Sequence, residues 1–163
     1  MNGKQPDQTT QIVYLVRHGE AKSKNEDPDR SLTERGRKDV EQIVSRAVAA
    51  GLQIDEIRHS GILRAEQTAQ LLAENLNPPS SPIAVSGLDP NDDVRPIASL
   101  LRQENRPVML VGHLPFLSYL VSHMVHGNAD QTVPHFETGT LIILSRQGDK
   151  WSIMSVMHPD RAG

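Results

Sequence analysis

The chain has 163 residues, 37% hydrophobic and 23% charged, with a net charge of −3 and no cysteine. This is the length of one domain whose core needs no covalent staples, and the missing cysteines exclude a disulfide framework, a thiolate nucleophile and a Cys-based metal site. Negative charge and a total of one Trp, two Phe and two Tyr argue against a nucleic-acid binder, and no apolar run approaches the roughly 18 residues that span a bilayer.

The opening MNGKQPDQTTQ lacks the apolar centre of a secretory signal. Residues 1–10 therefore read as a polar lead-in, 11–158 as one domain and 159–163 as a tail, with the cytoplasm as the default compartment. QIVYLV (11–16) is a β-branched and aromatic run, as in a strand buried on both faces. After a polar loop, Ser31 and Thr33 are both N-cap candidates for a helix, Ser31 having capping-box spacing to Glu34. Val40, Ile43, Val44, Ala47 and Val48 form its apolar stripe, and Gly51 supplies its stop. A short strand follows over 53–60, then a helix over 62–76, a weak strand near 82–85 and a helix over 92–104. RPVMLVGH (106–113) repeats the opening theme of a buried strand ending in a small residue and a histidine, and 114–125 is helical. Residues 138–156 read as two strands around a Gln-Gly-Asp turn. Alternating strands and helices predict a single-domain three-layer α/β/α sandwich with a mostly parallel sheet, in which ligands bind beyond the carboxyl ends of the strands.

Arg17-His18 and Gly112-His113 both occupy such ends, and Arg64 falls in the first turns of a helix that begins just after a strand. If these segments meet, two arginines, two histidines and the partial positive charge of a helix start share one small volume. Like charges so close repel unless an anion joins them, and a phosphoryl dianion is the natural occupant. Phosphoryl transfer then needs a nucleophile. With no cysteine and no Walker pattern, a neutral imidazole is the favoured choice. His18 fits best, beside Arg17 and followed by Gly19, whose missing side chain lets the backbone approach a phosphate; His113 would donate hydrogen bonds to the same group and, as an imidazolium, could stabilise the transition state.

VRHG, SGILRAEQTA and LVGHLP resemble, in order, the signature segments of the histidine phosphatase superfamily. The similarity extends from about residue 12 to about 157, and within the superfamily LTERG, LRAEQT and GHLPFLSYLV are similar to the small bacterial phosphohistidine phosphatases. The resemblance implies a phosphoglycerate mutase-like fold, His18 as the phosphorylated nucleophile, Arg17, Arg64 and His113 as phosphate ligands with Gly19 beside them, and no cofactor or metal. It also implies a phosphorylated histidine-containing phosphotransfer protein as substrate and inorganic phosphate as product, while charge and composition point to no nucleic-acid or membrane partner. A monomer is the simplest assembly. Mutases and many acid phosphatases of the superfamily add a carboxylic acid to protonate an alkoxide, and insertions that roof the pocket. This chain has no long insertion, and only Asp89, Asp92, Asp93 and Glu20 are candidate acids. Imidazole leaves a P–N bond more readily than an alkoxide leaves a P–O bond, so an open, acid-poor site suits phosphohistidine on a protein.

Blander readings accompany several features. His123 and His126 have helical i, i+3 spacing that a metal could use, but no carboxylate motif accompanies them. The acidic NEDPDR (25–30) is a solvated loop or a substrate rim, Glu137-Thr138-Gly139-Thr140 is strand punctuation or a pocket wall, and Trp151 is packing. His59, His135 and His158 have no interpretable partner. Two other functions remain open: a small-molecule phosphomonoesterase or mutase on the same scaffold, and a noncatalytic phosphate-binding module.

Overall fold

The computed structural model describes residues 10–160; residues 1–9 and 161–163, most of the expected lead-in and tail, lie outside the described residues. Six strands, β1 (Gln11–Arg17), β2 (Glu56–His59), β3 (Ile83–Ala84), β4 (Val108–Gly112), β5 (Leu141–Gln147) and β6 (Lys150–Met157), form one sheet in the order β3-β2-β4-β1-β5-β6. The four helices are α1 (Glu34–Ala49), α2 (Leu63–Leu76), α3 (Arg95–Gln103) and α4 (Phe116–His126). β3, β2, β4 and β1 run parallel, while β5 and β6 form an antiparallel hairpin added to the free edge of β1.

The apolar runs are continuous because both faces of the central strands are covered. Val13, Leu15, Val108 and Leu110 face one core with Phe116, Leu117 and Leu120 of α4 and Ile97 and Leu101 of α3. Their neighbours Tyr14, Val16, Met109 and Val111 face the other, against Val40, Ile43 and Val44 of α1 and Ala65, Ala69 and Leu72 of α2. The result is the expected three-layer sandwich. Period-2 alternation is thus present in the strands but invisible in hydrophobicity, since each side has a helix layer. Truncating a fully buried strand residue such as Leu110 to alanine costs about 2–5 kcal/mol.

Where element boundaries differ from expectation, local hydrogen bonding is the reason. Thr33 rather than Ser31 caps α1: its hydroxyl oxygen accepts from Gly36 N at 2.9 Å, while the Ser31 hydroxyl donates to Asp27. Val48 falls off the buried stripe and is exposed. α1 stops where Gly51 takes a positive φ of 72°, a conformation glycine adopts without strain. α3 starts at Arg95 rather than 92 because Asp93 accepts from the Arg95 amide and occupies the preceding turn. α4 starts after Pro115.

Candidate active site

β1 and β4 pair in parallel with Arg17 opposite Gly112, so the residues that follow, His18 and His113, emerge side by side. The His18 amide continues the ladder by donating to the Gly112 carbonyl at 3.0 Å. The two imidazole centroids lie 5.1 Å apart, with the rings tilted by 51°. Backbone pairing of two strands nearly a hundred residues apart therefore brings the histidines together.

His18 Nδ1 lies 2.7 Å from the Gly19 carbonyl oxygen. A carbonyl only accepts, so Nδ1 carries the hydrogen and Nε2 of the neutral ring keeps its lone pair. The ring is neutral: burial, helped by the positive charges of Arg64 and Arg17, and of His113 when that ring is protonated, against the opposing Gly19 carbonyl, pulls His18 from 6.5 down to about 3. His113, only 1% exposed, is lowered to about 4 by burial and then by Arg64 and Arg17. His113 is therefore uncharged at neutral pH, and the expected imidazolium belongs to the transition state. An anion between the rings would push both values back up.

Two guanidinium groups complete the charge balance. Arg17 Nη1 donates to the Phe136 carbonyl at 2.9 Å, which ties its fork to the segment before β5. Gly139 N donates to the carbonyls of Arg17 and His18, so the 136–140 stretch does form a wall behind the site. Arg64 occupies the second residue of α2, whose N-terminus has no side-chain cap. Its Nε is buried without a hydrogen-bond partner among the described residues, and burial together with Arg30 depresses its pKa. A half-buried cation with an unmatched, buried Nε donor, set beside two neutral imidazoles and another arginine, has the chemistry to receive an oxyanion.

Some expected contributors do other work. Gly19 N donates to Thr68 Oγ1 at 3.0 Å, and a Cβ on Gly19 would meet Val40 Cγ2 at 2.9 Å and the Gly36 carbonyl at 3.0 Å. Close packing against α1 by itself requires glycine there. Of the candidate acids, Glu20 accepts from the Thr33 hydroxyl at 2.7 Å and belongs to the α1 cap. Asp93 is paired with Arg95 at 2.7 Å and held down to about 2 by it. Asp89 and Asp92 line an open cleft of about 740 Å³ that also includes Ser60 and Asp93. In the 25–30 loop Asp27 is lowered to about 2 by hydrogen bonds from Ser31 and Asp29, so this carboxylate is engaged within its own loop.

Sequence reasoning missed three residues. Ser60 Oγ lies 2.7 Å from His113 Nε2. Thr68 Oγ1 donates to the Arg64 carbonyl at 2.8 Å while accepting from Gly19. Gly36 lies against the backbone of Glu20. Thr68 could have been found, being one turn after Arg64 on the same helix face; the others depend on contacts between distant segments. His123 and His126 close α4 beside Arg102, Lys150 and Trp151, and no group of three or more metal-ligating side chains exists among the described residues. His59 Nδ1 accepts from Gly61 N, and His158 Nδ1 pairs with Thr140 Oγ1. Trp151 is buried. No helix among the described residues is long and apolar enough to cross a membrane.

A profile of the histidine phosphatase superfamily (branch 1) matches residues 13–89. The chain is 30% identical over 134 residues to the phosphohistidine phosphatase SixA of Escherichia coli (strain K12), covering 79% of this chain and 81% of that protein. A structure of the protein histidine phosphatase SixA complexed with tungstate superposes with a TM-score of 0.81 at 27% identity, over 91% of this chain and 97% of the other. The phosphoserine phosphatase of Entamoeba histolytica in complex with 3-phosphoglyceric acid shares the fold alone, with a TM-score of 0.70 at 14% identity over 93% and 98% of the two chains. With paired strand-end histidines, two neighbouring arginines and sequence similarity along most of its length all in agreement, the chain belongs to the histidine phosphatase superfamily and is a phosphatase.

Proposed function

We propose that the protein is a phosphohistidine phosphatase acting on a phosphorylated histidine-containing phosphotransfer protein, with His18 as nucleophile and Arg17, Arg64 and His113 as ligands of the phosphoryl group. The observation that carries this reading is the tautomer of His18: its Nδ1–H is held by the Gly19 carbonyl, and its neutral ring leaves Nε2 available. In the first step the Nε2 lone pair forms a bond to phosphorus as the P–N bond of the substrate breaks. A substrate imidazole whose other nitrogen carries a hydrogen departs neutral, so no acid has to serve it. In the second step water attacks phosphorus, the P–N bond to His18 breaks with its electron pair returning to Nε2, and both water protons leave with the inorganic phosphate. Arg17 and Arg64 offset charge on the nonbridging oxygens in both steps.

The capping role of Glu20 and the ion pair of Asp93 support a substrate with little need for a proton donor. The whole catalytic unit is assigned to residues 11–158 as a cytoplasmic monomer without cofactor or metal. A second reading, a small-molecule phosphomonoesterase, is favoured by Asp89 and Asp92, which line the cleft that Ser60 shares. The test compares turnover of a phosphohistidine-bearing domain with that of sugar phosphates and measures acid-labile phosphate on the enzyme. Wild type is expected to favour the phosphoprotein and His18→Ala to lose both turnover and label; undiminished activity in His18→Ala eliminates the mechanism, and preference for sugar phosphates selects the second reading.

A further inference from the structure

Ser60 lies on the three-residue link between β2 and α2, three residues ahead of the start of α2 at Leu63 and four ahead of Arg64. Its Oγ has two partners: it accepts from the Ile62 amide at 3.2 Å and lies 2.7 Å from His113 Nε2. A hydroxyl has one hydrogen and two lone pairs. With one lone pair taken by Ile62, the hydrogen and the other lone pair remain, so the hydroxyl can either donate to His113 or accept from it. The other ring nitrogen, Nδ1, is buried with no hydrogen-bond partner among the described residues.

We propose that Ser60 is a positioning residue that sets the tautomer of His113, donating its hydroxyl hydrogen to Nε2 when a phosphoryl group is bound so that Nδ1–H is the donor to that group. The inference rests on the phosphatase reading, because a phosphoryl oxygen is the acceptor that Nδ1–H addresses. A phosphoryl dianion only accepts, so a neutral His113 helps it only with hydrogen on the nitrogen that is still available. Nε2 then needs a donor from elsewhere, since a bare ring nitrogen buried beside two arginines would lose the hydrogen bond it had in water. Ser60 supplies that donor. The Ile62 amide keeps the hydroxyl oxygen in place and thereby links His113 to the start of the helix that carries Arg64.

The experiment combines imidazole ¹⁵N NMR of the full chain, free and titrated with inorganic phosphate, with kinetics of Ser60→Ala and Ser60→Thr. In phosphate-bound wild type His113 is expected to show a protonated Nδ1 and an unprotonated Nε2. Ser60→Ala should lose that signature and drop kcat roughly tenfold, the scale of one neutral hydrogen bond, with KM changed less; Ser60→Thr should restore both. Hydrogen retained on Nε2 in the phosphate complex, or a Ser60→Ala variant with wild-type kcat and an unaltered signature, overturns the proposal. Should Ser60→Ala fail to fold, the wild-type spectrum and Ser60→Thr decide alone. A wild type that hydrolyses no phosphoramidate or phosphoester refutes the functional reading instead, which separates the two failures.

Discussion

Gly36 sits in the first turn of α1, where alanine would ordinarily stabilise a helix by about 1 kcal/mol. The opposite result is expected here. A Cβ on Gly36 would lie 2.2 Å from the Glu20 carbonyl oxygen and 2.9 Å from the Glu20 amide nitrogen, and both contacts are backbone. Restoring normal contact requires a shift of about 1 Å, and overpacking of this kind costs about 1–3 kcal/mol. The Glu20 carbonyl also accepts from Thr33 N at 3.0 Å, a bond whose loss adds about 1 kcal/mol. After subtracting the helix gain, Gly36→Ala should lose about 1–3 kcal/mol, which lowers Tm by several degrees for a chain of this size. Activity should fall further than stability implies. Glu20 is two residues from His18, and a misplacement of about 1 Å at a reacting group costs on the order of 100-fold in rate. Urea unfolding with linear extrapolation measures the first effect, and turnover of an aryl phosphate under conditions where the variant is fully folded measures the second. Lys38→Ala, on an exposed face of the same helix, is the control and should stay within about 0.5 kcal/mol of wild type. A Gly36→Ala midpoint at or above wild type, with kcat within about twofold, would refute the argument, since helix propensity alone predicts that outcome.

Stability should depend on pH through the buried histidines. His18 and His113 titrate near 3 and 4 in the folded chain against 6.5 when unfolded, so between these values the unfolded chain binds more protons. Their contribution is complete above about pH 6.5 and is lost as pH falls toward the folded values, with a slope of at most about 1.4 kcal/mol per pH unit for each. Urea midpoints measured from pH 4.5 to 7.5 should rise with pH, and His18→Ala should flatten the slope; an unchanged slope would show that His18 is not held neutral. Saturating phosphate, which moves the His18 titration back toward its unfolded value, should flatten it as well. Replacing Arg64 by methionine removes a partly buried cation whose buried Nε is unmatched. It should lower kcat by about 10³-fold, the scale of a lost transition-state donor, while raising the urea midpoint; a lower midpoint would mean that Arg64 serves the fold instead.

Residue type and spacing alone determined much of this protein. Apolar runs bounded by polar turns specified six strands and four helices, because a strand covered on both faces has to be apolar throughout and an amphipathic helix has to repeat every 3.6 residues. The same rule placed Arg17, His18, Arg64 and His113 at strand ends and a helix start, where open α/β sheets bind ligands. Only the tertiary structure decided which of Ser31 and Thr33 caps α1, that Glu20 joins that cap, why residues 19 and 36 must be glycine, and that Ser60 meets His113. These depend on contacts within a few ångströms between segments far apart in the chain, and hydrogen bonding and steric exclusion change at that scale without any trace in local composition. The charge states of the two histidines belong to the same class: isolated imidazoles titrate near neutrality, and it is burial among arginines, a property of the assembled fold, that keeps them uncharged.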